Sequence, residues 1–214
     1  METSNHSMLA LLEKHATEHA DSLAHVLPTR DITYRRLWSR IERGSARLQG
    51  EWGVREGDLV AYAGSGHPDA IVLYFSLLRI GASLLPLESM PAADVHNALA
   101  AMKPVLLVHD DDVQAGPWPA RRLDDLLEDW SHHDPVLASD DMTCRALWLP
   151  DGKGQWQAVS LLELCAALPA SPRTGFIDDR IFTADLLTNV VLPSLRDVRL
   201  MQFAATDRIR KTGS

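Results

Sequence analysis

The residues with the clearest capacity for chemistry lie in one turn, at positions 150–157, between two short predicted strands. The turn reads Pro-Asp-Gly-Lys-Gly-Gln-Trp-Gln, so Gly152, Lys153 and Gly154 lie at its centre. A loop that binds phosphate offers backbone N–H groups, hydroxyl groups and a lysine ammonium. This turn has no serine or threonine, and Asp151 adds a carboxylate. The pattern therefore indicates the layout of a phosphate loop in which most of the anion-binding groups have been replaced.

Two residues of this turn have alternative interpretations. Lys153, between two glycines, could still contact an anion, since such a turn can present backbone amides. The other interpretation is a surface turn in which Asp151 is the turn-forming residue. Trp156 could be an exposed recognition residue, or it could fill the space that a phosphate would occupy. We favour the second role for Trp156, because a large exposed apolar side chain usually has a partner.

Other reactive side chains do not form a recognisable catalytic set. His15 and His19 are one helical turn apart, but no acidic residue completes a zinc-binding pattern, which favours a partly buried helix face. Ser65 lies between glycines without the spacing of a nucleophile elbow. Cys165, on an apolar helix, is typical of packed core. The segments 109–112 and 132–134 contain His and Asp, but adjacent residues of this kind are typical of solvent-facing segments.

The composition of the chain describes an ordinary globular protein. It has 214 residues, a net charge of −8 and a hydrophobic content of 46%. An acidic chain without a basic face is not expected to bind nucleic acid. The two cysteines, Cys144 and Cys165, have no metal-binding spacing, so we expect reduced thiols in a cytoplasmic protein. The longest apolar stretch, at 70–87, is interrupted by Arg79 and Pro86, which argues against a membrane span.

Apolar runs alternate with helical patterns along the chain. Strands are predicted at 59–63, 82–85, 105–108, 180–183 and 198–203, and helices at 9–19, 34–48, 69–79, 91–102, 121–130, 161–168 and 186–195. Thr33 is the predicted N-cap of the second helix, on which Arg40 and Arg47 are placed outward. This alternation predicts an α/β fold with a mostly parallel sheet layered with helices. We divide the chain into an α/β subdomain at 1–130, a polar linker at 131–144 and a second α/β segment at 145–214.

Four segments within the first 110 residues carry a family resemblance. They read Ile-Thr-Tyr at 32–34 before Leu-Trp at 37–38, Trp-Gly-Val at 52–54 before Gly-Asp-Leu-Val-Ala at 57–61, His-Pro-Asp at 67–69 before LLRIGASLLPL at 77–87, and Lys-Pro-Val-Leu-Leu-Val at 103–108. In this order they resemble the N-terminal region of the adenylate-forming superfamily, which includes acyl-CoA synthetases, amino-acid adenylation domains and luciferases.

The resemblance also assigns a role to the turn. Residues 149–158 fall on the ten positions of the superfamily signature TSGTTGxPKG, and only Gly154 matches it. The signature loop holds the β- and γ-phosphates of ATP, and Gln157 stands at the position of its lysine. Removing one such preorganised group typically costs about 10²–10³ in rate. We therefore expect no catalytic residue and no cofactor, and at most weak residual phosphate contact at Gly152, Lys153 and Gly154. ATP and Mg²⁺ are expected only if the chain is a ligase module that another chain completes.

The resemblance ends with residues 181–202, before the superfamily's adenine, ribose and acid-binding segments. It thus implies a truncated, catalytically inactive homologue of an AMP-dependent ligase that serves as a binding or assembly partner in an acyl-activation or biosynthetic pathway. Expected partners are a second copy in a homodimer, an acyl carrier protein or an active ligase. The alternative is an acyl- or aryl-acid ligase module, with CoA or a carrier protein as acceptor, that another chain completes. A third possibility is a stable remnant without a selected function.

Overall fold

The fold was described from a computed structural model, which covers residues 8–26, 31–110, 116–128, 134–138, 146–151, 155–169, 176–177 and 180–203. The helices are α1 (Met8–Glu18), α2 (Tyr34–Gly50), α3 (Pro68–Arg79), α4 (Ala92–Met102), α5 (Leu161–Ala166), α6 (Ala184–Leu186) and α7 (Leu192–Arg196), with a π-helical turn at Leu187–Val191 between the last two. The strands are β1 (Leu23–Val26), β2 (Asp31–Thr33), β3 (Leu59–Ala63), β4 (Ser83–Pro86), β5 (Leu106–His109), β6 (Ala120–Arg122), β7 (Ala146–Pro150), β8 (Trp156–Ser160), β9 (Phe176–Ile177) and β10 (Met201–Phe203).

A six-stranded sheet forms the centre of the fold, in the order β6-β5-β3-β4-β7-β8. Neighbouring strands are parallel except β7 and β8, which form an antiparallel hairpin. Val60 of β3 lies beside Leu84 of β4 and Leu106 of β5, so the apolar runs at 59–63, 82–85 and 105–108 pair as central strands. The predicted α/β fold with a mostly parallel sheet is confirmed.

Helices cover both faces of this sheet because successive side chains of a strand point to opposite sides. On β3, Val60 and Tyr62 pack into the larger hydrophobic core together with residues of α2 and α3. Ala61 and Ala63 face the other way, into a smaller core with Val95, Ala98 and Leu99 of α4.

A second sheet has four strands, in the order β2-β1-β10-β9. His25 of β1 is the parallel partner of Met201 of β10, so residues far apart in sequence meet here. β1 is antiparallel to β2, and β9 is parallel to β10. The sequence patterns predicted β10 but not β1, and they did not indicate a separate sheet.

Two predicted elements are wrong. The helix predicted at 121–130 is replaced by β6 and a 3₁₀ turn at Asp124–Leu127, while residues 129 and 130 lie outside the described part. Arg121 pairs with Val108 and Arg122 with His109, and arginines are well tolerated on such an edge strand. The strand predicted at 180–183 is also absent, because that segment turns and directs two backbone amides at a buried carboxyl group.

The second helix begins where the sequence predicted, but it buries two arginines that were expected to face solvent. Thr33 caps α2, with its side-chain oxygen accepting the Arg36 N–H at 3.4 Å. Arg40 and Arg47 were expected to face solvent, but both are buried. Arg40 forms an ion pair with Asp69 of α3, and Arg47 donates to the carbonyl oxygen of Asp125. These partners offset part of the cost of burying two guanidinium groups.

The division at 131–144 remains a prediction. Residues 134–138, from within the predicted linker, lie along α2 and α3. The Val136 N–H donates to Gln49 Oε1 at 2.7 Å, and the Ala138 N–H donates to the Arg79 carbonyl at 3.1 Å. Among the described residues, no helix is both long and apolar enough to cross a membrane.

Candidate functional site

Polar residues gather where the central parallel strands end. Glu88 follows β4, separated from it by Leu87. Backbone hydrogen bonds made by the residues before and after it fix its position. The Leu87 N–H donates to the Tyr62 carbonyl at 2.7 Å, and the Ser89 N–H donates to the Gly64 carbonyl at 2.9 Å. The carboxyl edge of a parallel sheet is where ligands bind in open α/β folds.

The Glu88 carboxyl group is buried, with 6% of the residue exposed. Its Oε2 atom accepts two backbone hydrogen bonds, from Ile181 N at 2.9 Å and from Phe182 N at 2.8 Å. Its Oε1 atom is also buried, and within the described part of the chain it has no hydrogen-bond partner. One oxygen therefore anchors the segment that begins at Ile181, and the other retains its hydrogen-bonding capacity.

Burial raises the pKa of Glu88 to about 8. The two backbone hydrogen bonds and the positive charge of Arg180 oppose this rise, whereas the carboxylate of Asp110 adds to it. Desolvation dominates because a charged carboxylate loses its hydration when it is buried. At neutral pH Glu88 is therefore mostly a protonated, uncharged acid.

Glu88 lines a cleft of about 740 Å³. The cleft lies between α4, the β7–β8 hairpin and the segment at 180–184. Met90, Leu149, Trp156 and Phe182 contribute apolar walls. A concave, largely apolar cavity of this size with a few polar groups is typical of small-molecule sites.

A second carboxyl group, Asp110, lies directly after β5. Its Oδ2 atom accepts from Ser65 N at 2.7 Å and from Ser65 Oγ at 2.8 Å, and it lies 3.2 Å from the Tyr62 hydroxyl oxygen. Burial raises the pKa of Tyr62 well above its ordinary value, and the Asp110 and Glu88 carboxyls raise it further. A Cβ atom on Gly64 would lie 2.5 Å from both Asp110 Cγ and Tyr62 Oη, so this cluster requires glycine there.

The turn between β7 and β8 is closed by its own aspartate. The Asp151 N–H donates to the Gln155 carbonyl at 2.8 Å, and the Gln155 N–H donates to Asp151 Oδ1 at 3.0 Å. Gly152, Lys153 and Gly154 lie outside the described residues, so their predicted anion contact remains a prediction. Trp156 begins β8 and lines the cleft, where it is half-buried.

The other candidate residues have structural partners. His15 is buried, with Nε2 3.1 Å from the Arg196 carbonyl oxygen, whereas His19 is exposed. The Ser65 hydroxyl donates to a carboxylate. Cys165 packs against the main core, and burial raises the pKa of its thiol. Residues 111–112, 132–133 and Cys144 lie outside the described residues.

Sequence reasoning missed Glu88 as a site residue. The one signal was an acidic residue directly after the apolar run at 84–87, where the chain leaves the sheet. Its partners, Ile181 and Phe182, are more than ninety positions away, and the sequence did not indicate this contact. The capping box at the start of α5 was also missed, although Ser160 and Glu163 have its spacing and bond each other's backbone N–H groups.

Comparison with known proteins identifies the fold and the family. The family model described as AMP-binding enzyme matches residues 12–182. The N-terminal subdomain of NpsA from Klebsiella oxytoca, in complex with 3-hydroxybenzoyl-AMSN, superposes with a TM-score of 0.74 at 22% identity, over 92% of this chain and 53% of that chain. An artificially fused adenylation–PCP di-domain, NpsA-ThdA from the same organism, gives a TM-score of 0.74 at 24% identity, over 92% of this chain and 39% of that chain.

A curated relative matches a shorter stretch. Phosphinothricin tripeptide synthetase PhsC from Streptomyces viridochromogenes is 37% identical over 99 residues, which are 46% of this chain and 9% of that protein. The chain thus spans about half the length of the NpsA subdomain and a small part of the synthetase. The family model covers most of the sequence, and the fold agrees with it. The chain belongs to the AMP-binding enzyme family.

Proposed function

We propose that this chain is a family member that does not adenylate and that serves as a binding component in an acid-activating or peptide-synthesising assembly. The observation that carries this proposal is the hydrogen bond from the Gln155 N–H to Asp151 Oδ1, at 3.0 Å. It lies in the turn that aligns with the phosphate loop of adenylate-forming enzymes. The Asp151 carboxylate thus accepts a hydrogen bond from a backbone amide. In a phosphate-binding loop, amides of this kind donate to phosphate.

Two physical effects oppose triphosphate binding at this turn. A backbone N–H that already donates to a carboxylate is not available to a phosphate oxygen. The Asp151 charge also repels phosphate, by about 4 kcal/mol for two unit charges 4 Å apart at the effective dielectric constant of a protein surface. Gln157 is exposed on β8 and supplies no positive charge at the position of the signature lysine.

The partner we favour is an acyl carrier protein. NpsA-ThdA, which shares this fold, is an adenylation domain fused to a PCP domain. A second copy of this chain and an active ligase are the other partners that the proposal allows. A direct test mixes the purified chain with a purified carrier protein and measures the mass of the complex by light scattering.

Catalysis is tested separately, by pyrophosphate release from ATP–Mg²⁺ with a panel of aliphatic, aromatic and amino acids. An active adenylation domain is the positive control. The proposal expects no pyrophosphate above background from this chain, together with a defined complex with the carrier protein. Release of pyrophosphate by the chain alone would contradict the non-adenylating role, and absence of a complex with all three partners would contradict the binding role.

The second candidate is an acyl- or aryl-acid ligase module that another chain completes. The cleft of about 740 Å³ favours it, because the described residues retain a cavity large enough for an organic acid. This candidate requires measurable ATP binding, which should weaken when Lys153 is replaced by alanine. The non-adenylating proposal expects no ATP binding in either protein.

A further inference from the structure

We propose that the cleft beside α4 binds a small organic amine with an apolar body, and that the ligand's ammonium group contacts the free Oε1 atom of Glu88. The inference goes beyond the proposed function and does not depend on whether the phosphate loop is silent. It starts from a buried side chain that lines the cleft and has one unused oxygen.

The hydrogen bonds of Glu88 define its orientation. Oε2 accepts from the backbone amides of Ile181 and Phe182, so this oxygen fixes the carboxyl group in place. Oε1 is buried, and no described residue donates to it. A buried polar atom without a partner is costly, and a donor from a ligand would remove that cost.

The titratable groups of the cleft include more acids than bases. Among the described residues, its lining has two acids, Glu88 and Asp94, and one base, Arg180. Arg180 and Asp94 are exposed, whereas Glu88 is buried. An ammonium group that reaches Oε1 therefore meets a carboxyl group in a desolvated position, where a charge-assisted hydrogen bond is strong.

The walls of the cleft suit an apolar body. Met90, Leu149, Trp156 and Phe182 line the same cleft as Glu88. Two of these side chains are aromatic, and aromatic faces attract organic cations. An arylalkylamine combines an ammonium group with an apolar ring, so it matches both parts of the site.

Binding is coupled to a proton. Below its raised pKa of about 8, Glu88 is mainly the neutral acid. When an ammonium binds, the Glu88 O–H bond breaks, the proton leaves to the buffer, and the carboxylate forms a hydrogen bond with the ammonium. The other titratable or charged groups near Glu88 are Tyr62 on β3, Asp110 after β5, Asp94 on α4 and Arg180. Burial and the neighbouring carboxyl groups raise the pKa of Tyr62, so its hydroxyl does not ionise between pH 6 and 8.

The test is calorimetric titration of the whole chain with 2-phenylethylamine, 2-phenylethanol and phenylacetate. We expect one saturable site for the amine and at least tenfold weaker binding of the alcohol and of the acid. Glu88→Gln should weaken the amine at least tenfold, since charged hydrogen bonds contribute about 1.5–3 kcal/mol. Glu128→Gln, at an exposed acid that does not line the cleft, should change amine affinity less than threefold.

Wild-type protein gives an independent readout. Titrations at pH 7 in buffers of different ionisation enthalpy should show release of nearly one proton for each amine bound, and affinity should rise from pH 6 to 8. Absence of amine binding, tighter binding of phenylacetate than of the amine, or binding without proton release would each overturn the inference. So would full affinity in a folded Glu88→Gln variant.

Discussion

The guanidinium of Arg40 and the carboxylate of Asp69 form a buried ion pair, with Arg40 Nη2 2.5 Å from Asp69 Oδ1. The two side chains are only 10% and 8% exposed. The pair joins the middle of α2 to the first turn of α3, next to the loop that carries Ser65. It therefore holds the helical layer against the end of the sheet where the polar cluster lies.

Removing one partner of this pair should destabilise the fold strongly. Arg40→Ala leaves the Asp69 carboxylate buried without its cation, and breaking a buried pair in this way costs about 3–5 kcal/mol. We expect a loss of that size in the free energy of unfolding, measured by urea denaturation at pH 7.

A partly exposed pair that also joins α2 to α3 is the matched control. Glu42 lies 3.4 Å from Arg79, and the two side chains are 46% and 16% exposed. Glu42→Ala should cost less than about 1 kcal/mol, because solvent screens such pairs. Equal effects of Arg40→Ala and Glu42→Ala would show that burial does not strengthen the Arg40–Asp69 contact.

Glu88 should make stability depend on pH. Its pKa is about 8 in the folded chain and near 4.5 when unfolded, so the folded state holds the proton more tightly. The stabilisation is fully present below pH 4.5 and is lost as pH rises toward 8. In that window this group should lower the free energy of unfolding by up to about 1.4 kcal/mol per pH unit.

Glu88→Gln should remove this contribution, since an amide does not titrate and its oxygen can still accept from Ile181 and Phe182. The measurement is urea unfolding at half-unit steps from pH 5 to 8.5, with Asp94→Asn as the control that keeps the wild-type slope. An unchanged slope in Glu88→Gln would mean that Glu88 is already ionised throughout this range.

Position 44 of α2 should require glycine, because Ser76 of α3 lies directly against it. A Cβ atom on Gly44 would overlap the Ser76 hydroxyl oxygen, which donates to the Ile41 carbonyl at 3.0 Å. Gly44→Ala should therefore destabilise the protein by about 1–3 kcal/mol, despite the better helix propensity of alanine. In a Ser76→Ala background the same substitution should cost at least about 1 kcal/mol less. A double-mutant cycle from chemical denaturation measures this coupling, and additive effects would rule out the close contact.

The central sheet could be predicted from the sequence because its signals are local. Apolar runs marked β3, β4 and β5, Thr33 marked the start of α2, and Gly81, with a φ of +77°, lies just beyond the end of α3. The four-stranded sheet could not be predicted in the same way. β1 is four residues long, and it pairs with β2 and with the distant β10.

The sequence patterns did not predict which charged side chains are buried. Arg40 and Arg47 are charged, so the sequence placed them on the solvent-facing side of α2. Their partners, Asp69 and Asp125, come close only in the folded chain. The same holds for Glu88, whose partners come from a turn that sequence patterns assigned to a strand. The altered phosphate loop remains a prediction, which depends on the residue types at 150–157 alone.

The central claim is that the turn at 150–157 does not hold a triphosphate, and calorimetric titration with ATP–Mg²⁺ tests it most directly. The account predicts no saturable heat up to about 1 mM ATP, which corresponds to a binding free energy weaker than about −4 kcal/mol. Lys153→Ala should give the same flat trace. Saturable binding below that concentration, weakened in Lys153→Ala and unchanged in the surface control Glu128→Gln, would contradict the account.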